Sequence, residues 1–304
     1  MKESEILANI QSKLSITQLN EMQNAMLKHS AEANDITLLS PTGSGKTLAF
    51  LIPLLKHLKP ANNKVQAVVI APSRELVLQI SDITKAIASN HKVTCCYGGH
   101  NVADEKQSLS VTPSVIISTP GRLLDHLQRG NVDLHPTTFL VLDEFDKSLE
   151  LGFHDEMKKI INKMPNVCRH ILTSATMIKE YPDFLKLKKH ILVNFLFKSE
   201  ETRSRMKVWR AESDSKDKLE ALRNLLLDLD DKRIIVFANY RESVERIYTY
   251  LKSMNIFAGI YHGALEQIDR EKAITMFNNG SYNILITTDL GSRGLDIEKV
   301  GYII

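Results

Sequence analysis

The sequence has few of the features that mark secreted, membrane-spanning or zinc-binding proteins. It contains only three cysteines, and Cys95, Cys96 and Cys168 show neither a CxxC pair nor a Cys/His spacing typical of zinc sites. No apolar run approaches the roughly 18 residues of a membrane span, and the charged first residues are not followed by the apolar stretch of a signal peptide. These absences predict a protein of the reducing cytoplasm that acts without a membrane.

Charge of neither sign dominates the chain. Lys and Arg together number 39 and Asp and Glu 36, which gives a net charge of +3 at pH 7. This balance permits a nucleic-acid partner but does not identify one. With 304 residues, 43% of them hydrophobic, the chain has the composition of a globular protein and the length of two ordinary domains.

Short β-branched apolar runs alternate with segments of helical periodicity over most of the chain. Leu76, Ile80, Ile83 and Ile87, for example, repeat at helical spacing. Alternation of this kind predicts an α/β fold in which a parallel sheet carries helices on both faces. The predicted strands of the first part are 36–39, 65–70, 93–97, 115–118, 138–142, 170–173 and 191–195.

The alternation of strand and helix segments stops at 198–205. This segment contains few apolar residues and is interpreted as a linker. We therefore predict an N-terminal domain at 1–197 and a C-terminal domain at 206–304. Because the chain stops within an apolar run, we expect the second domain to be incomplete. Its predicted strands are 206–211, 234–238, 257–261, 284–287 and 300–304, and leucines between 219 and 229 predict a helix.

A glycine-rich turn follows the first predicted strand and opens a helix. Gly43 and Gly45 allow the backbone to turn its N–H groups toward phosphate oxygens, and the helix N-terminus adds partial positive charge. In such a loop Lys46 would reach the β- and γ-phosphates, and the Thr47 hydroxyl would bind Mg²⁺. Ser40 stands where many such loops have their first glycine. The predicted triphosphate-binding residues are Pro41, Thr42, Gly43, Ser44, Gly45, Lys46 and Thr47.

A second requirement for nucleotide chemistry is a metal-binding carboxylate at the end of a neighbouring strand. The apolar run 138–142 is followed directly by Asp143 and Glu144. Asp143 is predicted to hold Mg²⁺, and Glu144 to orient or deprotonate the attacking water. The candidate catalytic residues are therefore Lys46, Asp143 and Glu144.

Further short segments follow the other predicted strands in a fixed order. These segments are Pro72–Leu76, Gly98–Gly99, Thr119–Arg122, Ser174–Thr176, His262–Gly263, Gln267–Arg270 and Thr288–Asp296. Together with the glycine-rich turn and the acidic box 143–146, they resemble the motif series of DEAD-box ATP-dependent RNA helicases over nearly the whole chain. The resemblance implies two RecA-like, doubly wound parallel-sheet domains, the second one incomplete here.

The resemblance also implies an activity and roles for individual residues. ATP and Mg²⁺ would be the cofactors, and the partner would be RNA, single-stranded or a short duplex, held by its backbone with low sequence specificity. Gln23 would pair with adenine, Asp296 would meet the ribose of ATP, and Asp146, Ser174, Thr176 and Arg293 would couple the two domains. The residues implied to bind RNA are Pro72, Ser73, Arg74, Gly99, Thr119, Pro120, Gly121, Arg122, Asn239, Gln267, Arg270 and Thr288.

Some residues depart from the pattern of the family. The prolines usual before the adenine-reading glutamine are replaced within 19–22, Ile6 stands where an aromatic is usual, and Phe145 replaces an alanine of the acidic box. The His-Arg-x-Gly-Arg-x-x-Arg motif that supplies arginines to the transferring phosphoryl group is not in the sequence. We therefore expect the chain as given to hydrolyse ATP slowly.

Two other functions remain open at this point. A non-enzymatic RNA-binding clamp with the same fold would explain the missing arginine motif, whereas the complete set of Lys46, Thr47, Asp143 and Glu144 favours an enzyme. A DNA helicase with similar domains is the other alternative, and Gln23 together with 119–122 and 143–146 favours RNA over DNA.

Overall fold

The computed structural model describes residues 1–99, 102–196, 207–213, 217–229, 232–288, 297 and 300–304. The chain divides into two compact units, Met1–Met206 and Lys207–Ile304. The predicted linker 198–205 lies outside the described residues, so the predicted domain boundaries remain predictions. None of the helices in the described ranges combines the length and the low polarity needed to cross a membrane.

The first unit is built on a sheet of parallel strands with the order β3-β4-β2-β5-β6-β1-β7. Most of its strand residues are buried, as expected when helices cover both faces of a parallel sheet. The strands are β1 Asp35–Leu39, β2 Ala67–Ile70, β3 Val93–Cys96, β4 Val115–Ser118, β5 Phe139–Leu142, β6 Arg169–Ser174 and β7 His190–Asn194.

The helices of the first unit form two layers, one on each face of the sheet. Alternate strand residues point to opposite faces, so Val69 packs with Phe50 in one hydrophobic cluster while Val68 packs with Phe145 in the other. The first cluster lies under α1 Glu3–Leu14, α2 Glu21–Glu32, α3 Lys46–His57 and α4 Arg74–Ile87. The second lies under α5 Val102–Leu109, α6 Pro120–Gln128, α7 Phe145–Glu150 and α8 His154–Ile161.

The second unit repeats this plan on a smaller scale. Its described strands are all parallel, in the order β11-β8-β10-β9, and alternate residues such as Val236 and Ile235 belong to hydrophobic clusters on opposite faces. Its elements are α9 Leu219–Asp228, β8 Arg233–Ala238, α10 Arg241–Ser253, β9 Gly259–Tyr261, α11 Gln267–Asn278, β10 Ile284–Thr288 and β11 Val300–Ile303. The predicted α/β class with doubly wound parallel sheets is confirmed.

One predicted strand is wrong. Residues 207–211, which make up the described part of the predicted strand 206–211, have no regular structure, and the side chains of Val208 and Trp209 are both 84% exposed. Apolar residues are frequent there, but an apolar segment alone does not make a strand. A strand also needs a neighbouring backbone that accepts and donates its hydrogen bonds.

Candidate active site

The strand order divides the carboxyl edge of the first sheet into two halves. β5, β6 and β1 are neighbours, and the acidic box, the segment 174–176 and the glycine-rich turn follow these three strands. β3, β4 and β2 are also neighbours, and the predicted RNA-binding segments of this unit follow them. Carboxyl ends of parallel strands are the edge at which open α/β sheets bind ligands. The nucleotide and RNA residues predicted for this unit are thus separated into adjacent halves of one edge.

The phosphate loop, which we define as residues 41–47, curls back over its own lysine. Gly43 and Gly45 have φ angles of +74° and +89°, which side chains disfavour. The Lys46 side chain is buried, and its Nζ donates hydrogen bonds to the carbonyl oxygens of Ser40 at 3.0 Å and Pro41 at 3.3 Å. Carbonyl dipoles hold the ammonium weakly compared with charged phosphate oxygens, so Lys46 is positioned to exchange these partners for a phosphate.

Hydroxyl groups brace the same loop. The Ser44 hydroxyl donates to the Pro41 carbonyl at 2.8 Å, and the Ser40 hydroxyl donates to Ser44 Oγ at 2.6 Å. Ser40 therefore does more than replace a glycine, because its side chain fixes the curl of the loop. Thr47 follows Lys46 in the first turn of α3 and is half-buried.

Gln23 lies against the phosphate loop. Its side-chain Nε2 donates to the Gly45 carbonyl at 3.2 Å, while its Oε1 accepts from the Asn20 backbone N–H at 2.9 Å. Asn20 completes a capping box for α2 and donates from Nδ2 to the Ser44 carbonyl at 3.0 Å. A carboxamide has a second hydrogen on nitrogen and a second lone pair on oxygen. Gln23 therefore keeps one donor and one acceptor site, which is what pairing with adenine requires.

The predicted metal-binding carboxylate, Asp143, is buried at the end of β5. Only β6 separates this strand from β1, which leads into the phosphate loop. Burial raises the pKa of Asp143, whereas the Thr173 hydroxyl, which donates to Asp143 Oδ1, and the nearby Lys46 ammonium both lower it. Burial, followed by the charge of Asp143, also raises the pKa of Glu144. The donor set here, carboxylate oxygen from Asp143 and hydroxyl oxygen from Thr47, is the all-oxygen set that Mg²⁺ prefers. The residues present fit a magnesium ion.

The segment that follows β6 is bonded to the acidic box. Thr176 Oγ1 donates to Asp146 Oδ2 at 2.8 Å, and Ser174 Oγ donates to the Thr176 carbonyl at 2.6 Å. Ser174 does not contact Asp146 in any hydrogen bond of the described residues, so it acts on Asp146 through Thr176. Their predicted role in coupling the domains remains a prediction.

The predicted RNA-binding residues of the first unit occupy the other half of the edge. Ser73 caps α4 by accepting from the Leu76 N–H at 3.2 Å. The Arg74 guanidinium lies over Gly98, where an added Cβ would come within 3.3 Å of its Nη2. Gly99 is exposed at a φ of +100°. Pro72 is buried directly after β2, and Thr119, Pro120 and Gly121 form the start of α6.

The sequence predicts that Arg122 contacts the RNA backbone, which suggests an exposed side chain. In the structure this side chain is mostly buried. Its side chain is only 11% exposed, and its Nε lies 3.3 Å from Glu105 Oε2 and donates to the Tyr97 carbonyl at 3.3 Å. Glu105 in turn accepts from the Tyr97 N–H at 2.9 Å and lies 2.7 Å from His126 Nε2. Arg122 thus belongs to a buried ion-pair network that joins α5, α6 and the loop beginning at Tyr97.

Glu105 and His126 also form a group with Cys96 whose ligand atoms lie within 4.8 Å of one another. The sequence spacing of the cysteines gave no sign of this group. Burial raises the pKa of the Cys96 thiol, and the Arg122 cation already occupies the Glu105 carboxylate. A second cation at this point would meet repulsion from Arg122. The group is therefore explained by its ion pair and hydrogen bonds.

In the second unit, the predicted RNA-binding residues also follow strand ends. Asn239 comes directly after β8 and is exposed, and Thr288 ends the neighbouring β10, paired in register with Ala238. Gln267 and Arg270 lie in the first turn of α11, where Gln267 Nε2 donates to Glu271 Oε1 at 2.9 Å. The predicted ATP contact Asp296 and the predicted coupling residue Arg293 lie outside the described residues.

Three residues of these sites, Asn20, Thr173 and Glu105, were not predicted from the sequence. Asn20 could have been found, because Asn followed three residues later by Gln is the signature of a capping box. Thr173 and Glu105 carry no such signature. Their positions follow only from the register of β6 against its neighbours and from the packing of α5 on α6.

The chain is similar to known helicases both at the level of the family and of individual relatives. The DEAD/DEAH box helicase profile matches residues 20–184, and the helicase conserved C-terminal domain profile matches 217–304. The DEAD-box ATP-dependent RNA helicase RhpA of Helicobacter pylori (strain ATCC 700392 / 26695) is 33% identical over 90% of this chain and 56% of its own length. CshA of Bacillus subtilis (strain 168), of the same description, is 34% identical over 88% of this chain and 55% of its own length. The chain thus spans about half the length of these curated relatives.

The chain is also similar in structure to solved DEAD-box helicases. Saccharomyces cerevisiae Dbp5 bound to RNA and ADP BeF3 is 25% identical, with a TM-score of 0.85 over 98% of this chain and 77% of that chain. A DEAD box protein from the hyperthermophile Methanococcus jannaschii is 29% identical, with a TM-score of 0.58 over 98% of this chain and 81% of that chain.

Proposed function

Because the chain belongs to the DEAD/DEAH box helicase family, we propose that it is an ATP-dependent RNA helicase. In this proposal ATP and Mg²⁺ bind at the phosphate loop, RNA stimulates hydrolysis, and the cycle opens or remodels short RNA duplexes. The observation that carries it is the arrangement of Lys46 and Asp143. They follow β1 and β5, which are separated only by β6, and the Lys46 charge lowers the pKa of the Asp143 carboxyl.

In this proposal each step is carried by side chains and main-chain groups around the phosphate loop. Lys46 would leave the Ser40 and Pro41 carbonyls for phosphate oxygens, and the N–H groups of the loop and of the first turn of α3 would bind the same phosphates. Asp143 and the Thr47 hydroxyl would hold Mg²⁺, which when bound neutralises charge on the β- and γ-phosphates. Glu144 would accept a proton from the attacking water on its carboxylate. A pKa raised by burial suits it to this role near neutral pH.

RNA binding is proposed for the half of the edge that follows β2, β3 and β4, and for the strand ends of the second unit. The N–H groups at the start of α6, together with Ser73, Arg74 and Gly99, would contact phosphates and sugars. Such contacts fix the position of a strand and leave its sequence unread. Discrimination of RNA from DNA would then come from the 2′-hydroxyl.

The test is equilibrium binding of a fluorescent ATP analogue and phosphate release, each with and without single-stranded RNA. We expect binding that depends on Mg²⁺, and turnover that rises with RNA. Lys46→Ala should weaken nucleotide binding at least about 30-fold, since it removes the cation that faces the phosphates. Lys64→Ala, which removes an exposed lysine from the loop before β2, is the matched control and should bind like the wild type.

The results separate the competing functions. Binding of ATP and RNA without any turnover would identify a clamp, and an equal response to DNA and RNA strands of one sequence would identify a DNA-directed enzyme. Absence of nucleotide binding in the wild type would contradict the proposal altogether.

A further inference from the structure

Thr173 contacts both acidic residues of the candidate active site at once. It is fully buried near the end of β6, between the strand that carries the phosphate loop and the strand that carries the acidic box. Its hydroxyl donates to Asp143 Oδ1, and its Oγ1 accepts from the Glu144 backbone N–H at 3.1 Å.

The direction of the two hydrogen bonds follows from chemistry. A backbone N–H can only donate, so Thr173 Oγ1 must accept from Glu144. That leaves the single hydroxyl hydrogen for the Asp143 carboxylate. One hydroxyl group therefore holds both the carboxylate of Asp143 and the main chain of Glu144.

The bond to Glu144 acts on a strained part of the backbone. Glu144 has φ 46° and ψ 52°, the left-handed conformation, which is unfavourable for a residue with a side chain. Hydrogen bonds to the neighbouring structure are what hold such a conformation in place. The turn that directs Asp143 and Glu144 away from β5 is thus held, in part, by Thr173.

We propose that Thr173 is a positioning residue that orients Asp143 for magnesium and fixes the turn carrying Glu144. This inference rests on the proposed function, because it assigns a supporting residue to the same site. It is specific to the hydroxyl group, so serine should serve in place of threonine. Valine, which has nearly the same shape, should not.

The experiment measures binding without turnover. A fluorescent ATP analogue is titrated at a series of Mg²⁺ concentrations, and the Mg²⁺ concentration for half-maximal binding is compared between variants. Thr173→Val should raise this concentration about 10-fold, the lower end of the effect usual for residues that orient a metal ligand. Thr173→Ser should stay near the wild-type value.

A matched control comes from the same sheet. Thr37 is fully buried in β1 and its Oγ1 lies 2.8 Å from His190 Nε2, away from the acidic box. Thr37→Val removes a buried hydroxyl of the same kind and should leave the Mg²⁺ requirement unchanged. Thermal unfolding shows whether each variant is folded, and Thr173→Ala replaces the valine variant if that protein does not fold.

The outcomes are distinct. A Mg²⁺ requirement raised in Thr173→Val or Thr173→Ala and restored in Thr173→Ser supports the proposal. A wild-type Mg²⁺ requirement in Thr173→Val, or in the Thr173→Ala variant that replaces it, overturns the proposal and leaves the proposed function standing. A wild type that binds no nucleotide at any Mg²⁺ concentration overturns both.

Discussion

The side-chain amide of Gln23 donates a hydrogen bond to the carbonyl oxygen of Gly45 at 3.2 Å and thereby attaches helix α2 to the phosphate loop. A side chain at position 45 would have to displace the end of the Gln23 side chain and so break this contact. A Cβ added to Gly45 would lie 2.7 Å from Gln23 Nε2, whereas one added to Gly43 would meet nothing within 4 Å.

We therefore expect Gly45→Ala to destabilise the protein more than Gly43→Ala. Both glycines have positive φ, so alanine costs about 1–2 kcal/mol of unfolding free energy at either position. Gly45→Ala must in addition displace Gln23, and its total cost should be roughly twice that of Gly43→Ala. Denaturant unfolding of the protein without nucleotide measures both.

A double-mutant cycle checks the cause. In a Gln23→Ala background the clash disappears, so Gly45→Ala should cost no more than Gly43→Ala does. Equal costs of the two glycine substitutions in the wild-type background would contradict the prediction.

Gln23 is also expected to determine the choice of base. Gln23→Ala should reduce the preference for ATP over GTP by about 5- to 150-fold, which corresponds to the roughly 1–3 kcal/mol of discrimination that bidentate pairing of an amide with adenine provides. The measurement is competition of ATP and GTP for binding against a fluorescent ADP analogue.

Asn20→Ala provides the control for this experiment. Asn20 also bonds to the phosphate loop, through Ser44, but its amide is a separate group that the sequence does not assign to adenine. The variant should weaken binding of both nucleotides alike. A loss of preference as large in Asn20→Ala as in Gln23→Ala would show that loop position, and not adenine pairing, sets the choice.

The sequence predicted the regular parts of this structure well because β-branched runs and strand-end motifs are local signals. β4, for instance, has the predicted bounds 115–118, and the acidic box follows β5 as expected. Contacts between elements distant in sequence could not be predicted. The buried pairing of Arg122 with Glu105 depends on α5 packing near α6, and the position of Thr173 depends on β6 lying between β5 and β1.

The sequence predicted one strand wrongly. The apolar residues at 207–211 suggested a strand, yet Val208 and Trp209 are exposed and the segment is irregular. Pattern rules describe which face a strand would bury, whereas strand formation depends on a partner backbone that no local pattern specifies.

Arg122 is expected to contribute strongly to stability. Arg122→Ala removes the cation from the buried Glu105 carboxylate and should lower the unfolding free energy by about 3–5 kcal/mol. Arg129→Ala is the matched control, since Arg129 is 57% exposed and pairs with Asp125 on the same helix. Its loss should cost less than about 1 kcal/mol. Similar costs for the two, measured by denaturant unfolding, would show that the Arg122 pair is as weak as a surface pair.

Asp143 is expected to lower the free energy of unfolding, although the proposed function needs its carboxylate for Mg²⁺. Burial raises its pKa in the folded protein above the unfolded value, so at any pH above the unfolded pKa the folded state either keeps a charge out of water or takes up a proton to neutralise it, and both lower stability. Asp143→Asn removes this charge, keeps an oxygen that can accept from Thr173, and should raise the unfolding free energy by about 1 kcal/mol. The same variant should lose the Mg²⁺ dependence of nucleotide binding, because an amide is a poor ligand for Mg²⁺.

The dependence of this gain on pH identifies its cause. A carboxyl whose folded pKa is raised binds more protons in the folded state than in the unfolded state, so its contribution to stability falls as pH rises through the folded pKa. The advantage of Asp143→Asn over the wild type should therefore grow as pH rises above the unfolded pKa of about 3.9 and shrink as pH is lowered toward it. Thermal unfolding of both proteins over this range, without nucleotide, measures the difference. An advantage that is constant with pH would mean that packing around position 143, and not the buried charge, stabilises the variant.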